Sequence, residues 1–86
     1  MESLGALQIY PNPAKDKLNI SLNKKDERVL QIEIFSVTGS RMHTEKIEQG
    51  CGIFDISIDV SKLPKGMYIV RINDGEDSVN KRILIE

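Results

Sequence analysis

Apolar and polar residues alternate with a period of two along most of this chain. Leu18, Ile20 and Leu22 are interleaved with Lys17, Asn19 and Ser21, and Leu30, Ile32 and Ile34 with Gln31 and Glu33. Phe54, Ile56, Ile58 and Val60 are interleaved with Asp55, Ser57 and Asp59. Successive side chains of a strand point to opposite faces, so each run predicts a β-strand with one buried and one wet face. Residues 67–72 and 79–85 are further β-rich runs, the second with Lys81, Ile83 and Ile85 on one face. β-branched residues are dense and helical spacing is absent, so no helix is expected.

Turn chemistry separates these runs at short intervals. Pro11-Asn12-Pro13 follows the short run Leu7–Tyr10, and each proline biases its predecessor away from helix. Asn23–Asp26 is a polar loop, and Thr38-Gly39-Ser40 reads as a hairpin turn in which Gly39 supplies a positive φ. Gln49-Gly50-Cys51-Gly52 is a second glycine-bearing turn. Leu63-Pro64-Lys65-Gly66 has the proline and glycine positions of a type I turn, and Asn73-Asp74-Gly75-Glu76 closes a last hairpin. The pattern predicts strands over 7–10, 17–23, 28–37, 41–48, 53–60, 67–73 and 78–85. Regularly spaced short strands point to an all-β fold, an antiparallel seven-strand immunoglobulin-like β-sandwich. The Cys…Trp…Cys pattern of true immunoglobulin domains is missing, so only the architecture is implied.

Composition narrows the picture. With 86 residues the chain holds one domain. It has no Trp, two Phe and two Tyr, so its core must rest on Ile, Leu, Val and Met. Charged residues are 29% and the net charge is −1, a balance that argues against an electrostatic nucleic-acid footprint. No apolar run approaches the roughly 20 residues of a membrane-spanning helix. Met1-Glu2-Ser3-Leu4 lacks the basic and apolar regions of a secretory leader, so either the protein is cytoplasmic or the chain is a fragment of something larger.

Candidate chemistry is sparse. The single cysteine, Cys51, cannot close an intramolecular disulfide and reads as a small turn or strand residue. His43 is the one histidine, and with Cys51 it makes only two soft ligands where a tetrahedral zinc site wants four. Asp55 and Asp59 share a face through their even spacing, which is the wet side of an amphipathic strand. Asp74-Gly75-Glu76-Asp77 lacks the twelve-residue ligand spacing of a calcium loop. Gly5, Gly50 and Gly52 form no phosphate-binding motif, because no strand–glycine-rich loop–helix unit follows. Among the aromatics Tyr10, Phe35, Phe54 and Tyr68, Phe54 fits a core stripe and Tyr10 is expected to lie as a lid on the sandwich end. No catalytic residue, metal ligand or cofactor is expected.

Three ordered segments carry a resemblance. Tyr10-Pro11-Asn12-Pro13-Ala14 followed by Lys17-Leu18-Asn19-Ile20, the run Ile32–Gly39, and Asp59–Ile72 with Leu63-Pro64-Lys65-Gly66-Met67-Tyr68 at its centre resemble the motifs of type IX (Por) secretion C-terminal sorting domains, type A. The final run Lys81-Arg82-Ile83-Leu84-Ile85-Glu86 is similar to that family's ending. Ser36, Ser40 and Glu86 depart from its usual residues. The resemblance spans about Leu7 to Glu86, leaving residues 1–6 as linker or residues left from expression and 7–86 as the sorting domain.

Such domains end a larger secreted cargo, reach the periplasm by a separate leader, and are read by the outer-membrane translocon. A sortase-like peptidase at the cell surface then removes them. The resemblance therefore implies a non-catalytic secretion signal on the way to the surface or medium, with the translocon, the peptidase and an upstream cargo domain as partners. No nucleic acid and no membrane insertion are implied, and bare sheet edges leave room for an edge-strand dimer. The recognition surface is expected at Leu63, Pro64, Lys65, Gly66 and Tyr68 together with Lys81, Arg82, Ile83, Leu84 and Ile85, with Tyr10, Pro11, Asn12, Pro13 and Gly39 as family-motif positions. The alternative is an immunoglobulin-like module that binds carbohydrate or protein as an accessory of a secreted enzyme or adhesin.

Overall fold

Because each apolar stripe needs a partner stripe, the strands close face to face into two antiparallel sheets. A computed structural model of the chain describes residues 4–48 and 50–86, with side chains from residue 7 onward. The strands are β1 (Leu4–Tyr10), β2 (Lys17–Lys24), β3 (Leu30–Ser36), β4 (Arg41–Ile47), β5 (Gly52–Asp59), β6 (Gly66–Asn73) and β7 (Ser78–Ile85). β1 begins three residues earlier than the alternation predicted, its Leu4 pairing with Lys24 across a register irregularity. Met1–Ser3, the start of the expected linker, and Gln49 of the predicted glycine turn lie outside the described residues.

The first sheet has the order β1-β2-β5 and the second β4-β3-β6-β7. Relative to a constant-type immunoglobulin sandwich, the fourth strand has moved to the other sheet, giving three strands against four. Leu18, Ile20 and Leu22 of β2 stand opposite Ile58, Ile56 and Phe54 of β5. Ile32 and Ile34 of β3 stand opposite Ile72 and Val70 of β6. These stripes meet in one core of Leu, Ile and Val, closed by Tyr68, Ile83 and Ile85. Lys24 continues the β2 stripe and is itself buried, its Nζ donating to the carbonyls of Asp26 and Gly50.

The hairpins and crossovers sort the loops to two ends. Leu4 pairs with Lys24, and the β2–β3, β4–β5 and β6–β7 connections share that end. At the opposite end lie residues 11–16, the β3–β4 turn, residues 60–65 and the end of β7. Register fixes this grouping, since Ser36 faces Tyr68, Tyr68 faces Ile83, and Lys17 faces Asp59.

Candidate functional site

Every segment that carries the family resemblance arrives at this second end. β7 is an edge strand, and by the antiparallel alternation its even-numbered residues turn their N–H and C=O groups away from β6. The chain from Tyr10 to Ala14 covers the last of those groups. The Asn12 side chain accepts the Leu84 N–H at 3.0 Å and donates to the Arg82 carbonyl at 3.4 Å. Ala14 continues the pairing, donating its N–H to the Leu84 carbonyl and accepting the Glu86 N–H, both at 2.8 Å. One side-chain amide and one backbone amide thus do the work of a short parallel strand, recorded as the Ala14–Ile85 bridge. The Tyr10–Pro11 and Asn12–Pro13 peptide bonds are both cis.

Beyond this latch the outer edge of β7 is open. The outward groups of Ser78 and Asn80 and the Arg82 N–H have no strand beyond them among the described residues. A cleft of about 230 Å³ runs between the two sheet edges, lined by Leu7 and Ile9 of β1, Asn12, and Lys81, Arg82 and Ile83 of β7.

The Leu63–Tyr68 segment abuts the latch through Gly66, which pairs with Ile85 and holds φ at 150°, where a side chain is disfavoured. The hydrogen bond of this corner closes three residues earlier than the proline and glycine positions suggested, from Leu63 N–H to Val60 C=O. Asp59 anchors the corner by accepting the Ser61 N–H at 2.9 Å and the Ser61 hydroxyl at 2.6 Å. Those hydrogen bonds, helped by Lys62 and Lys17, hold its carboxyl below the ordinary 3.8. Tyr68 points inward, and its hydroxyl donates to the Pro64 carbonyl at 2.6 Å. Gly39, at φ 92°, donates to the Ser36 carbonyl at 3.0 Å in the β3–β4 turn.

Burial divides the expected recognition residues. Pro64, Lys65, Lys81 and Arg82 are exposed, and Leu63, Gly66 and Leu84 are half-buried. Tyr68, Ile83 and Ile85 are core side chains, and their backbone is spent on the pairing of β6 with β7. Tyr10 is 47% exposed and sits on the outer face opposite Asn19, so it is not the lid that its neighbouring prolines suggested. The strand period continues through Tyr10 and turns it outward before the first proline interrupts the strand. Ala14, which no sequence signal marked out as a contact, is the fully buried hinge of the latch.

The residues weighed for other chemistry stay apart. His43 Nε2 meets Glu45 at 3.0 Å on the β4 edge, Cys51 is an exposed loop residue, and Asp55 stands on the outer face of β5. Among the described residues no three His, Cys, Asp or Glu side chains are grouped to hold a metal.

Comparison with known proteins places this geometry. The sequence model of a family described as "Secretion system C-terminal sorting domain" matches residues 8–86. β-Agarase D of Zobellia galactanivorans is 34% identical over 80 residues, which cover 92% of this chain and 15% of the agarase. The chain thus spans a small part of that relative's length.

Proposed function

This chain belongs to the family of secretion-system C-terminal sorting domains, and from that premise we propose how its folded end is read. As a type IX sorting domain it serves the secretion or surface display of a protein that carries it. The single observation that carries the reading is the convergence of the family segments on one end, around a last strand that is latched over one half and open over the other.

Residues 7–86 form the signal, and a cargo domain precedes it. β1 starts at the end remote from the latch, so a preceding cargo leaves the motif end facing outward. The translocon reads the exposed side chains of Pro64, Lys65, Lys81 and Arg82 and adds a strand to the open edge of β7 at Ser78–Arg82. The turns and edge are already ordered, so a receptor meets little of the ordering cost of a loose peptide. The domain has no catalysis of its own; a sortase-like peptidase at the cell surface removes it as substrate. The likeness to an agarase supports a cargo that is a secreted enzyme.

The test fuses the chain to a periplasmic reporter in a cell with a type IX translocon. Asn80→Pro places a proline where the N–H faces outward, so it obstructs strand addition while sparing the β6–β7 ladder. Lys65→Glu with Arg82→Glu reverses the exposed charges. Both variants are expected to leave the reporter in the periplasm while the purified domain still melts cooperatively. Full surface export by both folded variants would sink the reading.

A further inference from the structure

The outer face of the β4-β3-β6-β7 sheet is not an ordinary wet face. Phe35 and Ile69 are cross-strand partners on it and half-buried, while Val37 and Met67 beside them are 70% and 42% exposed. They border a groove of about 420 Å³ lined by Phe35, Val37, Ile69, Arg71 and Asn80, with a smaller one of about 190 Å³ adjoining at Met67 and Arg82.

The charges on this face are lopsided. By register Glu33, Arg41, Lys46, Arg71 and Arg82 all point outward here, four cations against one anion. Glu33 is already engaged, its Oε2 accepting Arg41 at 3.2 Å. Arg71 and Arg82 make no side-chain hydrogen bond or ion pair among the described residues, and the Arg71 Nε is buried without any partner. A buried donor without a protein acceptor is rare in folded proteins, and the half-buried Arg71 side chain is free to take one from outside the chain. On the other sheet the outward strand charges are Lys17, Asp55 and Asp59, one cation against two anions.

We propose that this face docks an extended peptide of a partner protein that presents a carboxylate beside a large apolar side chain. The carboxylate meets the Arg71 guanidinium, whose planar fork matches it, and the apolar side chain fills the groove over Phe35 and Ile69. The groove ends at Asn80, on the open stretch of the β7 edge. A peptide laid over the face along β6 sets its carboxylate at Arg71 and, two residues on, its apolar side chain over Ile69 and Phe35. The single groove of about 420 Å³ beside one guanidinium matches one apolar side chain and one carboxylate rather than the extended plane of an anionic lipid surface, so a peptide is favoured. The proposal concerns the sheet face, so it can fail while translocon reading of the motif end survives.

The test titrates the isotope-labelled chain with the capped peptide Thr-Leu-Thr-Asp-Thr-Leu, using its Asn analogue as control, and follows amide shifts by NMR. Shifts are expected at Phe35, Val37, Ile69, Arg71 and Asn80 and not at Asn19 or Ser57. Loss of the charge-assisted contact should weaken binding about tenfold, both for the Asn peptide and for Arg71→Gln. Absence of shifts at up to about 5 mM peptide, a range that reveals even millimolar affinity, would overturn the proposal. So would equal binding of the two peptides, or the same residues responding only to phosphatidylglycerol vesicles. A dimer in sedimentation that Ile69→Asp dissolves would assign the face to a second copy of the chain instead.

Discussion

The two ends of the sandwich are held by different forces. At the motif end the contacts are mostly neutral and strand-like: Asn12 to β7, Ala14 to Leu84 and Glu86, and the Tyr68 hydroxyl to Pro64, with the Asp59 carboxylate on Ser61 as the charged exception. At the far end they are charged. Lys24 is sealed beneath its loop, Glu27 accepts the Gly50 N–H at 2.8 Å, and Arg28 lies 3.4 to 3.7 Å from Asp26, Asp74 and Glu76. Neutral hydrogen bonds are insensitive to ionic strength, whereas exposed ion pairs weaken as salt screens them. The latch at the end proposed to be read therefore holds across ionic conditions, whereas the Arg28 pairs at the far end weaken as salt rises.

The largest break in that contrast is expected from Tyr68→Ala, which empties a core position and removes the corner's hydrogen bond. It should lower stability by roughly 3–5 kcal/mol in denaturant titration, while Tyr68→Phe should lose only about 1 kcal/mol. Next comes Lys24→Met at the other end, which keeps the buried stem and deprives the Asp26 and Gly50 carbonyls of their donor. A loss of about 1–3 kcal/mol is expected in the same titration.

Asn12→Ala should cost about 1 kcal/mol and speed hydrogen exchange at Leu84 and Glu86 with little change at Ile72. Unchanged exchange at Leu84 would show that the latch is not closed in solution. The smallest effect is expected from Arg28→Gln, about 0.5 kcal/mol at low salt and nothing measurable near 1 M salt. Because the Asn12 effect should persist at that salt, comparing the two variants' melting temperatures tests the distinction directly.

The outer faces repeat the lesson in another form. Net charge −1 describes a chain with no electrostatic character, yet the strand pairing gathers four cations on one outer face and a small acidic excess on the other. Each of those residues sits at an ordinary wet position in its own alternating run. Only the choice of neighbouring strands places Arg71 beside Asn80 and leaves Phe35 and Ile69 together outside the core.

What the sequence determined by itself is local: where strands run, which of their faces is buried, and where proline and glycine stop them. The period of two is set by backbone geometry within a few residues, which is why β2 and β5 through β7 lie within a residue of their predicted bounds. The same rule, followed one residue further, turns Tyr10 outward, where its prolines had suggested a lid. What only the tertiary structure decided is the company each element keeps. The latch joins Asn12 to Leu84 across 72 positions, and the core side of Ile83 and Ile85 removes their side chains from any partner's reach. Such contacts depend on the register and order of strands far apart in sequence, and no short stretch of residues encodes them.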